Sequence, residues 1–142
     1  MIPDYYWFGL LTAEQVKEAW HVIEPILARA FKHGHGELTI EDVPPMIESG
    51  RLHAFVMFEK WQIVTVMLVE IEVHPHKRIL NITALAGSKL ATMLDLFRDR
   101  IIKFAHDNNA TRITARCRPA AARLFNRLGG SKTIYVCIAK EI

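Results

Sequence analysis

The stretch "ITALAGSKLATMLDLF", residues 82–97, constrains the fold of this chain more than any other. An apolar, strand-like run meets Gly87, Ser88 and Lys89, and an amphipathic helix follows at once. A strand that feeds the N-terminus of a helix is the usual geometry for holding a phosphate. The first backbone N–H groups of a helix have no partner within it, and its dipole favours negative charge there. Two readings stay open at this point. Residues Leu85, Ala86, Gly87, Ser88 and Lys89 form a phosphate cradle, or the turn is a simple N-capped helix start.

The neighbouring elements follow from periodicity and punctuation. Thr12-Ala-Glu-Gln15 reads as a capping box. Val16, Ala19, Trp20, Ile23, Leu27, Ala30 and Phe31 then recur at helical spacing, predicting one long amphipathic helix that Pro25 bends or splits. Thr39 caps a short second helix, interrupted by Pro44-Pro45 and closed by Gly50. "LHAFVMF" and "WQIVTVMLVEIEV" read as strands joined at Glu59-Lys60, and Glu70 and Glu72 alternate with apolar neighbours as on a half-wet strand. "ILNITAL" is the next strand. A helix from Ser88 to about His106 carries Leu90, Leu94, Phe97, Ile101 and Phe104 inward. "RITARC" is a strand, Pro119 opens a helix to Leu128, and "TIYVCIA" is the last strand. The order is α-α-β-β-β-α-β-α-β, an α/β chain with a mixed central sheet and helices packed on it. Residues 1–142 are expected to form a single domain, with residues 1–11 as an aromatic N-terminal segment.

Composition bounds the function classes. With 142 residues, 51% hydrophobic and 23% charged, the chain has the makings of a real core. No apolar run approaches the roughly 20 residues that span a bilayer, so no membrane role is expected. The apolar start lacks a basic region and a small-residue cleavage site, so it does not read as a signal peptide. Cys117 and Cys137 make no C-x-x-C pair and read as core residues of a reducing compartment. The formal charge of +3 gives a mild bias toward anionic partners.

The order of elements, with the closing helix "AAARLFNRLGG", resembles the GCN5-related N-acetyltransferase (GNAT) fold over nearly the whole chain. The resemblance implies an acyl-CoA in the gap between two splayed central strands, with its pyrophosphate on the helix that starts near Ser88. The stretches "LTIEDVPPMIESGRLHAFVMF", "VEIEVHPHKRILNI" and "LAGSKL" further resemble small GNAT-like proteins of tailed bacteriophages and prophages. That second resemblance implies a protein of the virion or the host cytoplasm. It is expected to be non-catalytic and to act by binding itself or phage structural proteins.

The departures from the family's R/Q-x-x-G-x-G/A signature motivate that expectation. Either register places one residue of three, and Lys89 stands where a glycine would let the backbone approach the pyrophosphate. The expectation is therefore no cofactor and weak or no acetyl-CoA binding. The alternative is an acetyl-CoA-dependent N-acyltransferase with a degenerate phosphate loop. Its base, which must deprotonate an amine, would come from Glu70 or Glu72. Phe125 occupies the position of the family's acid tyrosine, leaving Tyr135 as a substitute. Arg116 and Arg118 would meet a CoA phosphate. They belong to a basic cluster with Arg112, Arg123, Arg127 and Lys132 that offers a weaker alternative, contact with nucleic acid. His33, His35, His74 and His76 make two H-x-H pairs without a complete ligand spacing, so no metal is expected. Tyr5, Tyr6, Trp7 and Phe8 are the candidate protein interface, because one packed strand face leaves two rings outward.

Overall fold

The computed structural model describes residues 2–34 and 36–142. One five-stranded sheet runs β1 (Tyr6–Leu11), β2 (His53–Glu59), β3 (Gln62–His74), β4 (Lys77–Gly87) and β5 (Arg112–Ala115), in that spatial order. The first four strands pair antiparallel, and β5 pairs parallel with β4. Between β1 and β2 lie α1 (Ala13–Glu18), α2 (Trp20–Phe31), a short 3-10 turn and α3 (Val43–Glu48). Helix α4 (Leu90–Asp107) makes the crossover from β4 to β5, and α5 (Pro119–Phe125) follows β5. The mixed α/β class expected from the sequence is the class observed.

Each face of the sheet has its own core. On one face Val16, Ile23, Leu27, Val43 and Ile47 from α1–α3 meet Ala54, Val56, Val66, Leu68 and Ala86. On the other, Met93, Leu94, Phe97 and Ile101 of α4 meet Phe8, Phe55, Met57, Met67, Leu80 and Ile82. Strand residues alternate between these two sets because successive side chains point to opposite faces.

Three local differences from the sequence expectation have physical causes. The capping box of Thr12 and Gln15 forms as expected, but the long helix breaks at Ala19 instead of at Pro25. The break puts Pro25 in the second turn of α2, where its missing N–H costs one intrahelical bond and the rest of the helix continues. The residues "YYWF" supply a strand: Tyr6–Leu11 forms β1, so the sheet gains an edge strand ahead of the helices. Phe8 is 1% exposed and stacks on Phe55 and Phe97, with ring centroids 5.2 and 4.9 Å away. Trp7 turns to the opposite face, lies edge-on to Phe58, and fills the space over Gly9 that a Cβ would otherwise take. The third difference is at the other end. "TIYVCIA" carries no strand: it follows Gly129 and Gly130, both at positive φ, and pairs with no strand among the described residues.

Candidate functional site

The site begins where β4 and β5 part. They pair over four positions, from Ile79 with Arg112 to Ile82 with Ala115. Beyond that point β4 runs on to Gly87, while the chain leaves β5 through Arg116, Cys117 and Arg118 into α5. The two strands therefore open into a fork, and β4 keeps a free backbone edge from Thr83 onward. A bulge sits at the mouth of this fork. Val69 pairs with Ile82 and Leu68 with Ala84, leaving Thr83 as the extra residue. A bulge of this kind bends a strand and re-aims its side chains.

A polar row crosses the sheet just before the fork. Glu70 on β3 stands opposite Asn81 on β4, and Asn81 stands opposite Thr114 on β5. Such directly opposed side chains have Cβ atoms roughly 4.5–5.5 Å apart. The Thr114 hydroxyl donates to Asn81 Oδ1 at 2.9 Å, and the Asn81 amide reaches toward the Thr83 hydroxyl at 3.5 Å. Arg51 holds Glu70, Nε to Oε1 at 3.6 Å. Glu72 lies on the same face one step further from the fork, and its Oε1 is 3.2 Å from His74 Nε2. Of the two candidate bases, Glu70 is the one that stands opposite Asn81, in the row nearer the fork.

At the far end of β4 the five loop residues expected to form a cradle divide into two groups. Leu85 packs against the α4 core, and Ala86 is buried against α1–α3, so their side chains contribute to packing. Gly87 has φ +109°, and a Cβ there would sit 2.2 Å from the Val64 carbonyl oxygen. The Ser88 N–H donates to that same carbonyl at 2.8 Å, and the Ser88 carbonyl accepts from the Thr65 hydroxyl at 2.6 Å. Leu85 and Ala86 are thus tied to the two cores, and Gly87 and the Ser88 backbone to β3. The clearance at Gly87 serves the Val64 carbonyl.

Lys89 starts the second group. It occupies the N-cap of α4 in the left-handed region, φ 59°, and no side chain caps the helix. The expected N-cap by a side chain is absent because Lys89, which has no acceptor to offer, takes the N-cap position, one residue after Ser88. The free amides are therefore those of Leu90, Ala91 and Thr92, because the helix starts two residues later than the sequence suggested. The Lys89 ammonium is drawn aside, to Glu59 Oε2 at 2.5 Å and the Tyr6 hydroxyl at 3.4 Å. Its hydrogen bonds to Glu59 and then Tyr6 raise its pKa. The same contacts lower that of Glu59, with the bond from Lys89 the larger cause. The Tyr6 hydroxyl is raised, chiefly by its bond to Glu59.

The other expected site residues fall as follows. Arg116 and Arg118 are placed at the end of β5, on the side of the fork opposite β4. Tyr135, the expected substitute acid, lies in the irregular segment after Gly130 and is 66% exposed. Phe8 is withdrawn from the expected protein interface by its burial, whereas Tyr5 and Trp7 remain about half exposed. Arg127 of the basic cluster pairs with Asp95 at 2.5 Å. Cys117 and Cys137, expected in the core, are both exposed, because each lies in an irregular segment beyond β5. Among the described residues no group of three or more His, Cys, Asp or Glu side chains is placed to hold a metal. His35 lies outside the described residues. No described helix is long and apolar enough to cross a membrane.

Sequence signals existed for part of this. The Asn81–Thr83 pair was visible as the polar residues of "ILNITAL", but the bulge that separates them could not be read from one strand alone.

With this geometry in view, the comparisons with known proteins define the fold. No protein-family model and no curated protein sequence matches the chain. Solved structures do match, across nearly the whole length of both partners. An aminoglycoside acetyltransferase from an uncultured soil metagenomic sample, in complex with trehalose, superposes with a TM-score of 0.72 at 10% identity, covering 100% of this chain and 99% of that one. The aminoglycoside N-acetyltransferase AAC(6')-Iy in complex with CoA gives 0.73 at 8% identity, with 99% of each chain covered. A ribosomal-protein-alanine N-acetyltransferase from Brucella melitensis gives 0.70 at 9%, covering 96% of this chain and 99% of that one. The fold is that of the GNAT acetyltransferases. The further likeness to phage proteins drawn from the sequence has no counterpart among these matches.

Proposed function

We propose that the chain binds an acyl-CoA at the β4–β5 fork and transfers the acyl group to an amine. The observation that carries this reading is the fork itself, which opens toward the uncapped N-terminus of α4 that follows β4. The residues fit the group. The amides of Leu90, Ala91 and Thr92 face an anion without competition from a side-chain cap. The free edge of β4 beyond Ile82 offers backbone partners to an extended pantetheine-like chain, and Arg116 and Arg118 offer cations. The withdrawal of Lys89 to Glu59 leaves the charge at the helix mouth to the backbone.

A bound acyl-CoA would supply an activated acyl group whose leaving thiolate is a weaker base than an amine or alkoxide anion. The lack of a tyrosine at Phe125 is therefore a smaller loss than the lack of a base would be. Glu70 takes the proton that the attacking amine sheds, directly or through a water held with Asn81. Arg51 lies beside Glu70 as a partner ion, and Thr114 orients Asn81.

Thiol release from acetyl-CoA, measured across a panel of primary amines and amine-bearing peptides, tests the reading. Glu70→Gln should lower kcat by about 100-fold with acetyl-CoA affinity unchanged, the usual scale for one general base. Turnover unchanged in Glu70→Gln would remove Glu70 from the chemistry.

A second reading rests on the exposed apolar side chains at β1. Tyr5 and Trp7 stand half exposed at one edge of the sheet, and exposed apolar patches mark protein contacts. On that reading the chain is a non-catalytic, virion-associated protein binder. Acyl-CoA binding at the fork separates the two.

A further inference from the structure

The β2–β3 hairpin turns on Lys60 and Trp61, the two residues between Glu59 and Gln62. Both lie at positive φ, 49° and 69°, the backbone of a two-residue type I′ turn, for which Asn-Gly is the usual choice. Residues with a full side chain resist this region, so Lys60 and Trp61 make the turn less stable than it could be. Trp61 is 92% exposed, so its ring gains no packing that would offset the strain. Strain of this kind collects at functional positions. The Lys60 N–H donates to the Tyr5 carbonyl at 2.8 Å and ties the turn to β1. Glu59 is held by Lys89, which leaves the Lys60 ammonium to a partner.

A cavity of about 220 Å³ lies where α1, the start of α2 and α3 meet. Val16, Trp20 and Pro44 give it apolar walls, and Glu14, Lys17 and Glu48 line it from exposed positions. The volume suits one indole ring, and the two carboxylates outweigh the single ammonium. Helix α1 follows Leu11, which pairs with Ala54 at the start of β2, and α3 leads back to that same end at His53. The turn closes the other end of β2, a strand of seven residues, or roughly 20 Å of extended chain. Trp61 does not line the cavity of its own chain.

We infer that Trp61 of one copy enters the α1–α3 cavity of a second copy, with Lys60 meeting Glu14 and Glu48 at the rim. The occupant is a second copy because each chain carries both halves of the joint. One is an aromatic knob with a cation beside it, and the other is an apolar hole edged by carboxylates. A tryptophan seated in a pocket is a common centre of a protein interface. Knob and hole are different surfaces, so each added copy still offers one of each, and association runs head to tail past the dimer. The joint uses neither the fork nor the outer edge of β1, and it does not depend on acyl-CoA binding.

Sedimentation velocity over a concentration series tests the joint. The native mass should rise with concentration through twice the 16.3 kDa of the single chain and beyond. Lys60→Asn/Trp61→Gly removes the knob and supplies the residues that the turn prefers. It should stay at the single-chain mass and melt at a higher temperature than the native chain. Glu14→Lys/Glu48→Lys repels Lys60 from the rim and should also stay single. Mixed in equal amounts, these two variants should form a dimer and nothing larger, because one keeps its hole and the other its knob. Circular dichroism checks each fold, and Trp61→Ser and Glu48→Lys are lighter versions of the same two changes. A single-chain mass for the native chain at all concentrations overturns the inference. Native-like assembly of either variant alone, or a mixture that stays at the single-chain mass, overturns it equally.

Discussion

Replacing Gly87 with alanine should cost far more than replacing another glycine of similar backbone conformation. Gly87 lies at φ +109°, and the new Cβ would stand 2.2 Å from the Val64 carbonyl oxygen, well inside contact distance. Left-handed backbone costs an L-residue about 1–2 kcal/mol. Relieving the clash means moving Val64 or Gly87, which breaks the 2.8 Å bond from the Ser88 N–H, worth about 1 kcal/mol. The same movement strands the Thr65 hydroxyl, which is 1% exposed and has the Ser88 carbonyl as its partner. A buried polar group left without a partner costs about 1–3 kcal/mol. The combined loss is about 4 kcal/mol, a large share of a stability of about 5–15 kcal/mol. Gly50 is the control: φ is +81°, and a Cβ added there would meet no atom within 4 Å. Gly50→Ala should therefore lose only the backbone cost of about 1–2 kcal/mol. Thermal unfolding followed by circular dichroism should show Gly87→Ala melting roughly 10 °C or more below the native chain. Equal losses for the two alanine variants would refute the clash, and with it the assignment of Gly87 to the contact with β3.

Phe8→Ala empties a fully buried, doubly stacked position and should cost about 3–5 kcal/mol in chemical denaturation; a loss below about 1 kcal/mol would return Phe8 to the surface. Glu59→Gln removes the carboxylate whose pairing with Lys89 lowers the pKa of Glu59 and raises that of Lys89. The contribution of the pair is present at neutral pH, fades as pH falls through the lowered Glu59 value, and fades again as pH rises through the raised Lys89 value. The stability difference between Glu59→Gln and the native chain should therefore peak near neutral pH and close at both extremes; a difference flat with pH would show that the pair does not form. Burial lowers the pKa of His53, so its contribution is present above the ordinary histidine value and is lost as pH falls from there through the lowered one. His53→Phe should flatten the acid limb of the stability profile, and an unchanged limb would place His53 in water.

The fold was legible where periodicity and caps agree. The capping box at Thr12, the α4 stripe of Leu94, Phe97 and Ile101, and the strand alternation around Glu70 all appear where one chain segment's own pattern requires them. What was not legible depends on partners distant in sequence. "YYWF" looks like a surface aromatic cluster until β2 and α4 are placed on either side of it, and then Phe8 becomes core. Gly87 reads as a phosphate glycine until Val64, on a strand more than twenty residues earlier, claims the space. Tyr135 is a plausible acid only if "TIYVCIA" joins the chain's own sheet, and strand propensity does not say which edge a strand will find. The candidate site followed the same division. Glu70 and the basic residues at 116 and 118 were visible as residue types, whereas the Glu70–Asn81–Thr114 row exists only through the register of three strands.

Isothermal titration calorimetry with acetyl-CoA on the native chain, Arg116→Ala/Arg118→Ala and Glu70→Gln tests the proposed fork most directly. Micromolar binding is expected for the native chain and for Glu70→Gln, with affinity reduced about tenfold or more when both arginines are removed, as befits the loss of charge-assisted contacts. No heat of binding at millimolar acetyl-CoA in a folded native chain would contradict the proposal and leave the fork as a GNAT scaffold put to another use.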